Sequence, residues 1–294
     1  MSKTLFAPGH TACAGCGQSM AARLVLDAAG PNTITVNNTG CLEVFSTKYP
    51  ESSWQVPFIH SLFENAAAVA SGVESAIKYL GKADSINIIA QGGDGSSADI
   101  GLQALSGMLE RGHNILYVCY DNEAYMNTGV QRSGLTPFDT NTTTSPAGAS
   151  SIGNLRPKKP MPEITNAHGI PYVATASSGF AQDLQRKVKK ALSIKGPKYI
   201  QVHVPCPLGW RHETNLTIQV AKLAVETGLY PLIEYENGVL SARRQIAPKP
   251  VEEYLKLQGR FKHLLKLPEE IKKVQDIADN NIKKYGLKIE TQQV

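Results

Sequence analysis

The chain has 294 residues, a length typical of one large domain or two modest ones. Hydrophobic residues make up 42% of the sequence and charged residues 19%, which excludes disordered, collagen-like and coiled-coil classes. The formal net charge is +5, and it resides in residues 241–294, which contain twelve Lys and Arg against seven Asp and Glu. Because acids are interleaved with these bases, the tail is typical of a solvated helical face or a partner-docking surface rather than a nucleic-acid-binding segment.

No stretch of the sequence predicts export or membrane insertion. The first residues contain one lysine and no apolar core of a secretory leader, and no apolar run reaches the roughly 18 residues of a membrane span. We therefore expect a cytoplasmic protein without membrane contact.

Five short apolar runs have the composition of strands that are covered on both faces: residues 33–38, 85–91, 114–120, 172–176 and 199–204. Apolar residues at helical spacing predict helices at residues 17–28, 64–80, 98–111 and 179–194. This alternation predicts an α/β fold, a doubly wound and mostly parallel sheet with helices on both faces. Ligands of such sheets bind beyond the carboxyl ends of the strands.

Two stretches depart from this alternation. Residues 128–162 are rich in Thr, Ser, Gly and Pro without a convincing period, and a loop of this length is usually functional. In the tail, prolines separate two predicted amphipathic helices at residues 251–267 and 269–285. The tail is therefore predicted to be a helical extension.

The strongest chemical signal is the sequence Gly93-Asp94-Gly95, which follows the predicted strand 85–91. Asn122 follows the next strand, and one helix lies between them, so both residues come from neighbouring strand ends. A carboxylate, an amide oxygen and a nearby backbone carbonyl make a hard oxygen site for Mg²⁺. The flanking glycines and the start of the following helix favour phosphate oxygens. The pattern predicts a diphosphate bridged by a divalent ion; the alternative is an ordinary turn with Asn122 as a strand cap.

Four cysteines fall beside the ends of predicted strands or helices: Cys13, Cys16, Cys41 and Cys206. In a cytoplasmic chain such residues are thiols or metal ligands rather than a disulfide framework. Zinc and a [4Fe–4S] cluster both accept four thiolates, and the spacing does not decide between them. Cys119 lies inside an apolar run and is predicted to be a core residue.

Taken together, these motifs resemble the β subunit of pyruvate:ferredoxin oxidoreductase, or pyruvate synthase, in the 2-oxoacid:ferredoxin oxidoreductase family. In chain order they are CAGCG, NTGCLEV, PFIHSLFENAAAVASG, GGDGSSADIG, YDNEAYMNTGVQ and HVPCP. The resemblance implies a thiamine-diphosphate- and [4Fe–4S]-binding α/β domain over residues 1–240. Residues 241–294 then form a basic helical extension.

The resemblance implies roles for individual residues. The implied cluster ligands are Cys13, Cys16, Cys41 and Cys206. The implied magnesium ligands are Asp94, Asn122 and the backbone carbonyl of Ala124. Catalytic roles are implied for Cys41 and for Asn127, which would point toward the thiazolium side of the cofactor. The implied cofactor contacts are Gln18, Gly40, Cys41, Gly93, Asp94, Gly95, Ser96, Asn122, Ala124, Tyr125, Asn127 and Thr128.

The implied reaction is oxidative decarboxylation of pyruvate with CoA to acetyl-CoA and CO₂, or the reverse synthase reaction. Electrons would pass through the [4Fe–4S] cluster to ferredoxin. We expect the chain to be active only with a pyrimidine-binding α-type subunit and ferredoxin-like δ- and γ-type subunits. The same chemistry on 2-oxoisovalerate, 2-oxoglutarate or oxalate is the first alternative. A zinc-stabilised diphosphate-binding module without redox activity is the second.

Overall fold

The computed structural model describes residues 4–48 and 51–289. The strands are β1 (Thr33–Asn37), β2 (Phe58–His60), β3 (Asn87–Gly93), β4 (Leu116–Asp121), β5 (Ala147–Gly148), β6 (Ser151–Ile152), β7 (Tyr172–Ser177), β8 (Lys198–His203), β9 (Ile233–Glu236) and β10 (Val239–Arg243). The α-helices are α1 (Gly17–Ala29), α2 (Cys41–Ser46), α3 (Ala66–Tyr79), α4 (Asp94–Ala98), α5 (Leu102–Glu110), α6 (Met161–Asn166), α7 (Ala181–Ser193), α8 (Pro207–Trp210), α9 (Thr217–Glu226), α10 (Glu252–Leu255) and α11 (Pro268–Tyr285).

An eight-stranded sheet runs through the molecule in the order β10-β9-β7-β8-β4-β3-β1-β2. The six strands from β7 to β2 pair in parallel, whereas β9 and β10 add an antiparallel edge beside β7. All five predicted strands are present, and β2, β9 and β10 are additional. The predicted, mostly parallel α/β fold is therefore confirmed.

Both faces of the sheet are covered, as the apolar composition of its strands predicts. Along β4, Leu116, Val118 and Tyr120 belong to one buried cluster, and Tyr117 and Cys119 belong to another. Helices α1 and α7 cover the first face, and α3 and α5 cover the second. Because successive side chains of a strand point to opposite faces, this alternation places a core on each side. Cys119 is a core residue, as predicted.

The predicted helix 98–111 is wrong at its start, because residue 98 ends α4 and the second helix, α5, begins only at Leu102. The break is at Gly101, where an added Cβ would lie 2.0 Å from the carbonyl oxygen of Ser96. Such close approach of two backbones leaves no room for a side chain at this position, which is why the break is at a glycine. The short α4 therefore begins immediately after β3, at Asp94.

The tail also differs from its prediction in one helix. Predicted helix 269–285 is present as α11, but predicted helix 251–267 is replaced by α10 and a 3₁₀ segment, Gly259–Lys266. The chain turns at Gly259 because its amide donates to the Arg211 carbonyl, and an added Cβ would lie 2.7 Å from the Arg211 Cβ.

The tail shares a buried apolar cluster with the α/β unit. Phe261 and Leu264 of the tail belong to the same cluster as Trp210 and Val220. The predicted domain boundary at residue 240 falls within β10. Among residues 4–48 and 51–289, none of the helices combines the length and apolar character needed to cross a bilayer.

Lys198 at the start of β8 provides a test of the packing at the amino edge of the sheet. Its ammonium is buried and donates to Asn114 Oδ1 at 2.7 Å. Burial, followed by repulsion from Lys195, lowers the pKa of Lys198 to about 7, although Glu74 opposes the shift. The unfolded chain, in which a lysine pKa is about 10.4, therefore binds more protons than the folded chain between these values.

We expect this lysine to make the free energy of unfolding rise by about 2 kcal/mol between pH 7 and pH 9. The Lys198→Met variant should lose that increment and be more stable than the parent at pH 7. Denaturant unfolding of both proteins under reducing conditions at the two pH values measures the difference. Parallel pH dependences for parent and variant would contradict the prediction.

Candidate functional site

Four neighbouring parallel strands end at one edge of the sheet, and each is followed by a predicted site residue. Cys41 follows β1, Asp94 follows β3, Asn122 follows β4 and Cys206 follows β8. Because β8, β4, β3 and β1 are consecutive in the sheet, these residues come together although they are separated by up to 165 positions in sequence. This edge is where ligands of parallel sheets bind.

Among the three predicted magnesium ligands, the Asn122 amide contacts both of the others. The Asn122 amide has one polar atom 2.9 Å from Asp94 Oδ1 and 2.8 Å from the Ala124 carbonyl oxygen. With nitrogen there, the amide donates to both oxygens; with oxygen there, three oxygens converge. Mg²⁺ binds oxygens octahedrally at about 2.0–2.1 Å, so neighbouring ligand oxygens lie about 2.8–3.0 Å apart. The two distances from the Asn122 amide match the spacing between neighbouring ligand oxygens of a magnesium octahedron.

Asp94 lies in an environment that favours a cation beside it. Its carboxylate is buried and accepts a hydrogen bond from the Ser133 hydroxyl. Burial, followed by repulsion from the Asp121 carboxylate, raises the pKa of Asp94. A divalent ion would reverse this shift, because its charge is the largest in such a site.

The start of α4 leaves space for an anion. Gly93 precedes α4, and an added Cβ at this position would meet no atom of the described residues within 4 Å. The Ser96 and Ser97 hydroxyls donate to the Gly93 carbonyl at 3.0 and 2.7 Å, which stabilises the turn. At Gly95 the opposite holds, since an added Cβ would lie 2.3 Å from the Tyr125 ring. Packing therefore requires glycine at position 95. At position 93 neither packing nor backbone strain requires glycine.

The four predicted cluster cysteines line one cavity of about 140 Å³. The same cavity is lined by Gln18, Asn122 and Asn127. Within residues 4–48 and 51–289, no three Cys, His, Asp or Glu side chains are grouped as ligands of a single metal ion. The thiols are instead distributed around a space, and four thiolates are the usual ligands of a [4Fe–4S] cluster. The donor set therefore fits such a cluster.

Three of these cysteines stand at helix starts, where backbone N–H groups favour negative charge. Cys16 precedes α1, Cys41 begins α2, and Cys206 precedes α8 and accepts a hydrogen bond from the Gly209 amide at 3.4 Å. Burial nevertheless raises the pKa of Cys41 to about 12, assisted by repulsion from Cys206, Cys16 and Cys13. Burial also raises the pKa of Cys206 to about 11. Bound iron would supply the positive charge that these thiolates need.

The remaining predicted contacts differ in their surroundings. Gln18 is buried, and its Oε1 has no hydrogen-bond partner in the described part of the chain. Asn127 is exposed at the cavity, and Thr128 is exposed with its hydroxyl donating to Gln131. Gly40 precedes α2, and the Tyr125 hydroxyl donates to Asp99 at 2.9 Å. Gln18 and Asn127 therefore join the cysteines, whereas Tyr125 packs beside Gly95.

The sequence analysis missed several polar residues at this edge. Asn37 ends β1, and both of its buried polar atoms are unpaired among the residues that the structure describes. The Asn38 nitrogen donates to the Phe63 carbonyl, while its Oδ1 is unpaired within the same residues. Their position immediately before Cys41 was the available signal. Ser133 offered none, because it lies in the aperiodic loop and meets Asp94 only in the folded chain.

The sequence analysis also missed a cluster of buried charges beside residues 121–124, the candidate metal-binding loop. Lys158 donates to Asp121 at 2.8 Å and to Glu123 at 2.7 Å, and Arg260 donates to Glu123 at 2.6 Å. Although burial opposes it, attraction from Lys158 and Arg260 lowers the pKa of Glu123 to about 2. Glu123 is therefore ionised, and in the sequence it lies between two predicted magnesium ligands.

Comparison with known proteins identifies the family. The family described as "Thiamine pyrophosphate enzyme, C-terminal TPP binding domain" matches residues 38–202. The pyruvate synthase subunit PorB of Methanosarcina barkeri is 61% identical over 289 residues, which cover 97% of this chain and 98% of that relative. The chain belongs to the PorB family of pyruvate synthase subunits. This membership confirms the family resemblance drawn from the motifs.

Other relatives show how far this similarity extends. The PorB subunit of Methanocaldococcus jannaschii is 58% identical, and the match covers 96% of each chain. The ketoisovalerate oxidoreductase subunit VorB of Pyrococcus abyssi is 50% identical over 268 residues, covering 89% of this chain and 86% of that subunit. The chain is thus an oxidoreductase subunit of a family whose members carry different substrate names.

A solved structure shares the fold of this chain. It is titled as the 2-oxoglutarate:ferredoxin oxidoreductase from Magnetococcus marinus with 2-oxoglutarate, coenzyme A and succinyl-CoA bound. The match has a TM-score of 0.56 at 23% identity and covers 72% of this chain and 77% of that one. At this identity the likeness concerns the fold alone.

The two glycines around Asp94 give a test of the local packing. Gly95→Ala should displace the Tyr125 ring and lower the free energy of unfolding by about 1–3 kcal/mol, as overpacking does. Gly93→Ala is the matched control and should stay within about 0.5 kcal/mol of the parent, because its φ of −74° suits alanine. Denaturant unfolding measures both. Equal stabilities of the two variants would contradict the close contact at Gly95.

Proposed function

We propose that this chain is the thiamine-diphosphate- and [4Fe–4S]-binding β subunit of a pyruvate:ferredoxin oxidoreductase. With its partner subunits it would convert pyruvate and CoA to acetyl-CoA and CO₂, or run the reverse reaction. When bound, thiamine diphosphate supplies the electron sink for decarboxylation, and the cluster supplies one-electron transfer to ferredoxin. The chain's own residues bind these groups, orient them and limit their contact with water.

One observation carries the proposal: Asn122 belongs to both sites. Its amide contacts Asp94 and the Ala124 carbonyl, and the same residue lines the cavity of the four cysteines. A diphosphate-bridging metal and an iron–sulfur cluster would therefore be neighbours. This proximity is what electron transfer from a thiamine-bound substrate to a cluster requires, and a zinc-stabilised binding module has no use for it.

The magnesium site would use Asp94, Asn122 and the Ala124 carbonyl, with the diphosphate at the start of α4. Gly93 leaves room for phosphate oxygens, and the N–H groups of the first turn of α4 provide donors. The predicted contacts of Gly40, Gln18, Tyr125, Asn127 and Thr128 remain part of this proposal. Gln18 is the best supported of them, since its buried side-chain oxygen accepts no hydrogen bond from the residues that the structure describes.

Exposed apolar side chains around the site support a covering partner subunit. Leu62 follows β2, Ile100 lies between α4 and α5, and Leu208 lies in α8, and all three are more than half exposed. These connections lie at the carboxyl edge of the sheet, around the cysteine cavity and the Asp94 site. A pyrimidine-binding α-type subunit is the partner we propose here, with ferredoxin-like δ- and γ-type subunits completing the complex.

The five cysteines provide a direct test with an internal control. The complex, purified anaerobically, should contain about four irons and matching sulfide for each copy of this chain, in addition to those of the ferredoxin-like subunits, and absorb visible light as iron–sulfur clusters do. Cys16→Ser and Cys206→Ser should lose the iron assigned to this chain, whereas Cys119→Ala should retain it, because Cys119 is enclosed in the core. Metal and sulfide analysis with visible spectroscopy measures the outcome.

One zinc without iron at these cysteines would instead support the zinc-stabilised module and remove the redox role.

A substrate screen of the intact complex then decides among 2-oxo acids. Pyruvate should give the highest kcat/KM, and preference for 2-oxoisovalerate, 2-oxoglutarate or oxalate would replace the pyruvate assignment while leaving the chemistry intact.

A further inference from the structure

Glu123 occupies an unusual place in the metal-binding loop. It lies between Asn122 and Ala124, is 3% exposed, and has a φ of +68°. The backbone of a residue other than glycine is strained in this left-handed region, and such strain persists only where surrounding contacts impose it. Two contacts of its backbone do so: its amide donates to Asp121 at 3.2 Å, and its carbonyl accepts from Thr136 at 2.7 Å.

The Glu123 carboxylate is held by two cations from distant parts of the chain. Lys158 comes from the long loop and contacts Oε1 at 2.7 Å, and Arg260 comes from the tail and contacts Oε2 at 2.6 Å. Arg260 is itself only 2% exposed. Opposite charges that are buried this deeply hold each other in place, because neither can exchange its partner for water.

Arg260 is in turn fixed by Trp210. The guanidinium carbon of Arg260 lies 3.7 Å from the centroid of the Trp210 ring, and its Nε donates to Gln258 at 2.9 Å. The Trp210 indole donates to the Asn122 carbonyl at 2.7 Å. Trp210 lies four residues after Cys206. The indole therefore links the turn that follows Cys206 to Arg260 of the tail and to Asn122 of the candidate metal-binding loop.

We propose that Glu123 and Arg260 are positioning residues for the magnesium site and that the C-terminal tail is, through Arg260, a functional part of it. Glu123 sets the path of the loop so that the Asn122 amide and the Ala124 carbonyl face Asp94. Arg260 holds Glu123 and, through Trp210, the Asn122 backbone. This inference rests on the proposed function, because it concerns the affinity for Mg²⁺.

The test measures Mg²⁺-dependent binding of thiamine diphosphate to the intact complex by calorimetry, without turnover. Glu123→Gln and Arg260→Gln should weaken the apparent Mg²⁺ affinity about 10–100-fold, the usual effect of losing a group that orients metal ligands. Arg260→Lys keeps the charge and should recover part of the loss. Iron content for each chain should remain that of the parent, which separates metal-loop positioning from loss of the cluster.

Glu234 offers a matched control. It is another buried carboxylate, paired with Arg186 at 2.5 Å and Lys190 at 2.8 Å, and it lies in β9, away from the four central strand ends. Glu234→Gln should lower the free energy of unfolding but leave Mg²⁺ affinity unchanged. The double variant Glu123→Gln with Arg260→Gln removes both charges together, so that no uncompensated cation is left at this pair if the single variants fold poorly.

The outcomes separate the inference from the function on which it rests. If Asp94→Asn retains the parent's Mg²⁺ dependence, the proposed metal site is wrong. If Asp94→Asn abolishes it while the Glu123 and Arg260 variants, singly and together, bind Mg²⁺ like the parent, the positioning role is wrong and the function stands. An equal loss of affinity in Glu234→Gln would show a general effect of stability and would also overturn the inference.

Discussion

The candidate site depends on four adjacent parallel strands whose carboxyl ends lie at the same edge of the sheet. The ends of β8, β4, β3 and β1 bring a cysteine, an amide, a carboxylate and a second cysteine to one edge of the sheet. Strand pairing sets their lateral order, since neighbouring strands are about 4.8 Å apart. The loops then need only adjust side chains over short distances, which is why the candidate metal site and the cysteine cavity can share Asn122.

Charge at this edge is arranged in two zones. Burial raises the pKa values of the Asp94 carboxylate and of the Cys16, Cys41 and Cys206 thiols, so each of these groups favours a positively charged ligand. In the adjacent zone, Lys158 and Arg260 already neutralise Glu123 and Asp121. The first zone is suited to binding ions and the second to supporting the first. The two zones meet at residues 121–124, where predicted ligand residues and supporting residues alternate along one short segment.

Much of the fold, and the residues that meet at the candidate site, were accessible from the sequence, because they depend on local patterns. Apolar runs predicted the five central strands, and the Gly-Asp-Gly sequence marked the turn between β3 and α4, whose role in metal binding stays a prediction. Contacts between distant segments were not accessible. The Ser133 hydroxyl on Asp94, the division of the helix at Gly101, and the pairing of Arg260 with Glu123 depend on how loops and tail pack. No periodicity encodes such contacts.

The tail shows why a charge count does not reveal location. Twelve basic residues suggested a solvated or docking surface, yet one of them, Arg260, is almost fully buried against Trp210 and Glu123. Burying such a pair costs desolvation free energy that an apolar pair would avoid, so buried ion pairs are weak stabilisers. What a Glu–Arg pair provides and an apolar pair lacks is direction, because the guanidinium donates along defined axes. In the proposed magnesium site, one loop holds an amide and a carbonyl toward the same ion, and direction is the property that such a loop requires.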